Sequence, residues 1–188
     1  MKTIWFDTET TGVKRDYDEI ITLAGCIVDD DPRVEHIWFD YRMCCDVSKL
    51  SDSAIAVHGI TREQVATFLQ PKVVLQNFLN LLYATMPIRP YAKKHEKYCV
   101  AGYNVSFDVD MLGYMLEKYL GVKLVSYINY MKLDVFALVQ AKYVSDKVFR
   151  NLPKHNLGAM CEFFDIPLDA HDARADITAT RELYNRLK

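Results

Sequence analysis

The sequence predicts a single α/β domain, a mixed five-stranded sheet with helices packed on its faces. Three observations predict it. Three stretches rich in β-formers come first, split by turn residues. Strand-like and helix-like stretches then alternate to the C-terminus. The 188 residues, 51% of them hydrophobic, are enough for one domain with a sizeable core.

Taken in order, "KTIWFDTE" reads as the first strand, and "EIITLAGCIVD" (Glu19–Asp29) and "VEHIWFDYRM" (Val34–Met43) as the second and third. The turn "DDDPR" between the last two predicts a three-stranded meander. A polar segment follows Cys44. "REQVATFLQPKVVLQNFLNLLY" (Arg62–Tyr83) reads as two helices divided at Pro71, since proline has no amide to donate inside a helix. "YCVAGYN" (Tyr98–Asn104) is the fourth strand. "VSFDVDMLGYMLEKYL" is a helix stopped by Gly121. "NYMKLD" (Asn129–Asp134) is the fifth strand, with a helix through about Val144 after it. "HNLGAMCEFFDI" (His155–Ile166) is a helix ended before Pro167, and the last helix begins near Asp172 and runs to the C-terminus. One domain over residues 1–188 is expected, with no internal repeat.

Lys and Arg total 23 against 25 Asp and Glu, a net charge of −2. That excludes nucleic-acid binding by bulk charge and leaves local patches or bound cations. Two stretches are locally basic: "RPYAKKHEKY" (Arg89–Tyr98), and Lys142 to His155 with Lys147, Arg150 and Lys154. The second is expected to face phosphate. The five cysteines are odd in number and none has the Cys-x-x-Cys spacing, so reduced thiols are expected. No run of about 18 apolar residues suggests a membrane span. "MKTIWFDTET" lacks the apolar core of a signal peptide, so a cytoplasmic setting is expected.

Carboxylates sit in three costly places. Asp7 and Glu9 lie two apart at the end of an apolar strand, so both point to one face. Side by side they repel, and burial raises the cost. They are either solvated at a strand end or neutralised by cations. In "NVSFDVDML", Asn104 is placed to cap the helix. Asp108 then shares its stripe with Leu112, Met115 and Tyr119, while Asp110 shares its own with Tyr114 and Glu117. Asp108 is therefore the acid on the apolar face, and it needs a partner. In "HDARADITAT", Asp176 aligns with Ala173, Thr180, Leu183 and Leu187, whereas Asp172 suits the helix start. His171 would lie about 140° from Asp176 if both were helical, so the two converge only if His171 precedes the helix. Inward acids on three elements suit Mg²⁺ or Mn²⁺. Two such ions activate a water and stabilise the leaving oxygen of a phosphodiester. A neutral histidine beside that water suits a general base.

Together these residues resemble the DEDDh (DnaQ-like) 3′→5′ exonuclease family, which includes the proofreading subunit of bacterial replicative DNA polymerase, ribonuclease T and oligoribonuclease. Asp-x-Glu-Thr-Thr-Gly matches "DTETTG" (Asp7–Gly12), Asn-x-x-Phe-Asp matches "NVSFD" (Asn104–Asp108), and His-x-x-x-x-Asp matches "HDARAD" (His171–Asp176). "VHGIT" (Val57–Thr61) resembles a segment lining the family's terminal-nucleotide pocket, and "LPKHNLGAMCEFFDI" the stretch before the third motif. Asp172 stands where the family's other subclass has tyrosine, so the histidine subclass is the match. The resemblance implies a ribonuclease H-like fold. It implies that Asp7, Glu9, Asp108 and Asp176 hold two Mg²⁺ or Mn²⁺ ions and that His171 deprotonates the attacking water. It implies donors near the terminal nucleotide from Thr10 and Thr11, and Val57, His58 and Phe107 around its base and sugar, with Asn104 beside them. The implied activity is release of nucleoside 5′-monophosphates from 3′ ends of single-stranded DNA or RNA, with DNA favoured. An RNA-trimming enzyme with the same site is the alternative, and a non-catalytic nucleic-acid-binding module is a more remote one. No clear clamp-binding peptide of the Gln-x-x-Leu-Phe kind is present, so a polymerase or repair partner is not readable. Some family members are homodimers; nothing in this composition requires it.

Overall fold

In the computed structural model, residues 2–86, 88–89, 94–169 and 172–188 are described. Lys2–Thr10 (β1), Ile20–Asp29 (β2) and Ile37–Arg42 (β3) form the antiparallel meander. Helices Asp52–His58 (α1), Arg62–Ala66 (α2) and Pro71–Thr85 (α3) follow. Two short strands, Ile88–Arg89 (β4) and Lys94–His95 (β5), pair only with each other. Tyr98–Gly102 (β6) joins β1 in parallel; after helix Val105–Leu120 (α4), Ile128–Asp134 (β7) joins β6 in parallel. Val135–Ser145 (α5), Lys147–Arg150 (α6), Leu157–Phe163 (α7) and Ala173–Leu187 (α8) complete the order. The main sheet runs β3-β2-β1-β6-β7, the mixed five-stranded sheet expected from the sequence.

The central strand explains its own composition. β1 is covered on both faces, so "IWF" is apolar throughout instead of alternating. Ile4 and Phe6 enter a core with Phe78, Leu82, Leu112 and Met115 from α3 and α4. Trp5 faces the opposite core, with Val139, Ile177 and Leu183 from α5 and α8. The sheet is thus the middle of three layers.

The helix ends follow from local chemistry. Pro71 opens α3, where a missing amide costs nothing. Gly121 ends α4 in the left-handed region at φ 65, its amide returning to the Glu117 carbonyl at 3.0 Å. Asp172 caps α8, accepting the Ala175 amide at 2.8 Å. Asn104 departs from its expected role. It stands at the cap position of α4, but its side chain makes no capping bond and its φ is 58. Asparagine tolerates that left-handed conformation. Its amide donates to Asp134 Oδ1 at 2.9 Å, and the same oxygen caps α5 through the Phe136 amide at 3.1 Å.

Four short elements lie outside the sequence expectation, and one helix is shorter than expected. α1 and α6 are short and bury one side chain each, His58 and Phe149, so neither shows an apolar stripe. β4 and β5 have two residues each, too few for a strand pattern. The helix expected over His155–Ile166 is shorter, Leu157–Phe163, because Asn156 caps it and Asp165 takes a positive φ of 53. All five cysteines are free, and among the described residues no helix is long and apolar enough to cross a membrane.

The meander has one position with no spare room. A Cβ on Gly25 would stand 2.4 Å from Phe39 Cζ and 2.5 Å from the Trp5 carbonyl oxygen. The carbonyl belongs to the central strand and has little freedom to yield. Gly25→Ala is expected to destabilise the fold by about 1–3 kcal/mol, read as a loss of several degrees in a thermal melt. An unchanged Tm would show that the β1–β2 spacing is not set there.

Candidate active site

The site lies where two parallel strands part. β1–β6 pairing runs from Thr3↔Cys99 to Trp5↔Ala101 and stops. β1 continues to Thr10 with β2 alone beside it, while β6 ends at Gly102 and the chain turns into α4. A crevice beyond the carboxyl ends of parallel strands is the usual ligand position in such sheets. Asp7 and Glu9 stand on the extended part of β1, Asp108 in the first turn of α4, and Asp176 in the first turn of α8.

Helical phase separates the acids as expected. Asp108 is 4% exposed, while Asp110 is exposed and paired with Arg15 at 2.6 Å. Asp176 is half-buried on the stripe of Thr180 and Leu183, and Asp172 is exposed and spent on its cap. Asp108 has its partner in Thr8: its Oδ1 accepts the Thr8 amide at 3.0 Å and the Thr8 hydroxyl at 2.6 Å. A side-chain oxygen thus serves β1 beyond the point where β6 has left it.

The acids are gathered at one electrostatic centre. Burial pushes the Asp7 carboxyl well above its ordinary value, and the charges of Asp108, Glu9 and Asp176 push it further, against a backbone bond at Thr8. Burial likewise pushes Asp108 up to about 7, against the Thr8 bonds and with Glu9 adding to the rise. Among the described residues no three acids, histidines or cysteines form a ready-made metal-binding group. The donor chemistry fits divalent cations nonetheless. Carboxylates that repel one another in one partly buried crevice are relieved by hard, oxygen-preferring ions. Asp7, Glu9, Asp108 and Asp176 are the residues that would hold them. His171 lies outside the described residues.

Two clefts flank these acids. The first, about 550 Å³, is lined by Glu9, Thr10, Thr11, Val57 and His58. The segment "VHGIT" is the end of α1, the left-handed Gly59 at φ 71, and the Thr61 cap of α2. It leaves Val57 60% exposed at the rim and His58 nearly buried, with its Nδ1 accepting the Ile60 amide at 3.0 Å. Thr10 donates its hydroxyl to the Gly12 carbonyl at 2.6 Å. Thr11 corrects an expectation. Its hydroxyl donates to Asp18 and accepts the Glu19 amide, its own amide reaches the Glu19 carbonyl, and its carbonyl takes the Ser51 amide. Fully buried, it has no donor left for a ligand and acts as a brace. Asp18 completes that brace, accepting the Lys14 amide at 2.7 Å. Gly12 is required beside it, because a Cβ there would stand 2.6 Å from Asp18 Oδ2. Phe107 is half-buried against the α3–α4 core and lines neither cleft, nor does Asn104.

The second cleft, about 350 Å³, is lined by Asp7, Asp176, Tyr103, Asn156 and Gly158. The Tyr103 hydroxyl donates to the His155 carbonyl, which ties the basic tract to this cleft. Lys147, Arg150 and Lys154 are exposed along that tract. In the first basic stretch, residues 90–93 lie outside the described residues. Sequence reasoning missed Thr8 and Asp18. Thr8 sits inside the first motif and alternates with its acids, a legible signal; Asp18 carries none.

With these carboxyls raised, metal-free stability is expected to fall with rising pH. The unfolded chain releases these protons near 3.8, whereas the folded chain keeps them longer, to about 7 at Asp108. Between those values the folded state binds more protons, so its stability drops as pH increases. In chelator, the part of the melting temperature set by these groups is expected to be higher at pH 5 than at pH 8. Asp7→Asn should flatten that slope, and Mg²⁺ should restore stability to the wild type at pH 8. Thermal melts across pH check this. An identical slope in wild type and Asp7→Asn would remove the repulsion argument.

Three comparisons place the chain among known proteins. Among curated protein sequences none matches. The zinc-bound E. coli ExoI–ssDNA complex is 20% identical with TM-score 0.78, over 99% of this chain and 40% of that one. E. coli Exonuclease I with a dT13 oligonucleotide is 20% identical with TM-score 0.79, over 100% and 41%. A product-bound exonuclease I is 19% identical with TM-score 0.75, over 98% and 45%. The chain therefore spans about two-fifths of the length of these structures and shares their ribonuclease H-like fold. The model of the RNase_T family, described as exonuclease, matches residues 4–184, nearly the whole chain, and the chain belongs to that exonuclease family.

Proposed function

We propose that this chain is a metal-dependent 3′→5′ exonuclease acting on single-stranded ends, DNA in preference to RNA, and releasing nucleoside 5′-monophosphates. The observation that carries it is the placing of Asp7 and Glu9 on the extended end of β1, Asp108 in the first turn of α4 and Asp176 in the first turn of α8, around one crevice where their charges disfavour that of Asp7. Pure nucleic-acid binding would be hindered by so much negative charge, whereas metal-assisted hydrolysis requires it. The DNA preference is supported by the single-stranded DNA and dT13 bound to the structurally similar exonucleases.

Asp7, Glu9, Asp108 and Asp176 would hold two divalent ions, Mg²⁺ or Mn²⁺. Bound there, the ions supply charge for the attacking water and for the leaving oxygen. The chain's own residues do the rest. Thr8 fixes Asp108 through two hydrogen bonds to one oxygen. The cleft of Thr10, Val57 and His58 takes the terminal nucleotide, and the Thr11–Asp18 brace keeps its wall in place. His171, by its place in the third motif, accepts the proton of the attacking water. Water adds to phosphorus, the bond to the 3′ oxygen of the preceding nucleotide breaks, and that oxygen takes a proton.

A 5′-labelled oligonucleotide with Mg²⁺ or Mn²⁺ tests this reading. Shortening from the 3′ end is expected with wild type, and none with chelator or with Asp7→Ala. No metal-dependent shortening by wild type would favour the binding module. On matched DNA and RNA, equal or greater turnover of RNA would overturn the DNA preference. His171→Ala is expected to lose about 10²–10⁴-fold in rate. Its metal affinity, measured calorimetrically, should be kept; a collapse of affinity would make His171 a ligand.

A further inference from the structure

A third cleft, about 380 Å³, opens between β3 and the start of α8. It shares Glu9 and His58 with the terminal-nucleotide cleft, so the two are continuous at the acid centre. Nothing in the proposed hydrolysis uses its far end. Ala24, Gly25 and Ala173 leave the interior open, Trp38 forms an aromatic wall, and Arg42 and Arg174 stand at the rim. The Arg174 guanidinium lies over the Trp38 ring, 4.5 Å from its centroid.

The charges here are unevenly committed. Asp172 is occupied by its cap, and Asp40 meets Arg42 at 3.5 Å in an exposed contact. Arg174 meets no carboxylate among the described residues. Arg181, seven residues further on the same stripe of α8, contacts His36 at 3.2 Å and Cys26 Sγ at 3.8 Å instead of an acid. A chain of net charge −2 has acids to spare, yet these two arginines have none. An aromatic wall beside Arg174, which no described carboxylate holds, and Arg42, held only by an exposed contact, is the chemistry that binds a base by stacking and its phosphate by hydrogen bonds.

We infer that this cleft is a second nucleotide subsite, taking a base against Trp38 and its phosphate on Arg42 and Arg174. The inference rests on the exonuclease reading for the origin of the nucleotide. That nucleotide is either a further unit of the bound strand or the released 5′-monophosphate, and both present the same base and phosphate.

Fluorescence of Trp38 in the Asp7→Asn variant of this chain tests the subsite without turnover. The chain has two tryptophans, and Trp5 is 6% exposed, so quenching by a solute reports on Trp38. Thymidine 5′-monophosphate and a thymidylate trimer are titrated beside thymidine and inorganic phosphate. Saturable quenching by a nucleotide is expected, at least about tenfold tighter than by thymidine or phosphate alone. It should vanish in Trp38→Phe and weaken about 10-fold or more in Arg174→Ala, whose far-ultraviolet spectrum and Tm serve as the folding control. A trimer that binds tighter than the mononucleotide assigns the subsite to the strand; equal or weaker binding assigns it to the product. A silent Trp38 with both, while the wild type degrades the trimer, overturns the subsite and leaves the exonuclease reading standing. Quenching as expected, with no degradation by wild type, keeps the subsite and removes the exonuclease reading.

Discussion

The rest of the site depends on one contact, the two hydrogen bonds from Thr8 to Asp108 Oδ1. β6 stops pairing with β1 at Trp5, and a buried strand amide left without a partner costs about 1–3 kcal/mol. Asp108 supplies that partner from the first turn of α4. The same bonds lower the cost of burying the carboxylate. Strand, helix and acid are therefore placed by one mutual need, and the crevice exists because β6 leaves β1 before β1 ends.

That solution creates an electrostatic debt. Asp7 is held among Asp108, Glu9 and Asp176, in a position that disfavours its charge. A fold under selection for stability alone would not retain such a cluster, and local conflicts of this kind concentrate at functional sites. The neighbouring framework shows the opposite habit. Buried Glu19 is paired with Lys118 and Lys49, and Asp18 is satisfied by Thr11 and Lys14. Charge is compensated by lysines around the crevice, whereas inside it acid stands beside acid.

Three clefts surround the acids. One is built on the turn after β1 and the end of α1, one between β1 and the segment before α7, and one between β3 and α8. The first and third share Glu9 and His58, the second and third share Ile177, and Asp7 and Asp176 line the second. The acid centre is thus approached from several sides by a chain of net charge −2, with Lys14 and Lys49 lining the first cleft and Arg42 and Arg174 the third.

Some of this was legible from the sequence and some was not. Periodicity alone separated Asp108 from Asp110 and Asp176 from Asp172, because a helix phase is a property of spacing. The strand order of the meander, the Gly121 stop and the Pro71 start came from local chemistry in the same way. α1 and α6 were hidden because a helix burying one residue has no stripe to read. Asn104 was misread because its left-handed turn is set by Asp134, thirty residues away. Thr11 changed from a donor to a brace because its partners, Asp18, Glu19 and Ser51, come from other segments. The sequence by itself determined which acids face inward, which depends only on neighbours along the chain. Only the tertiary structure decided that those acids repel one another at one point, that Thr8 holds Asp108, and that Trp38 and Arg174 meet, since each of these is a contact between segments far apart in sequence.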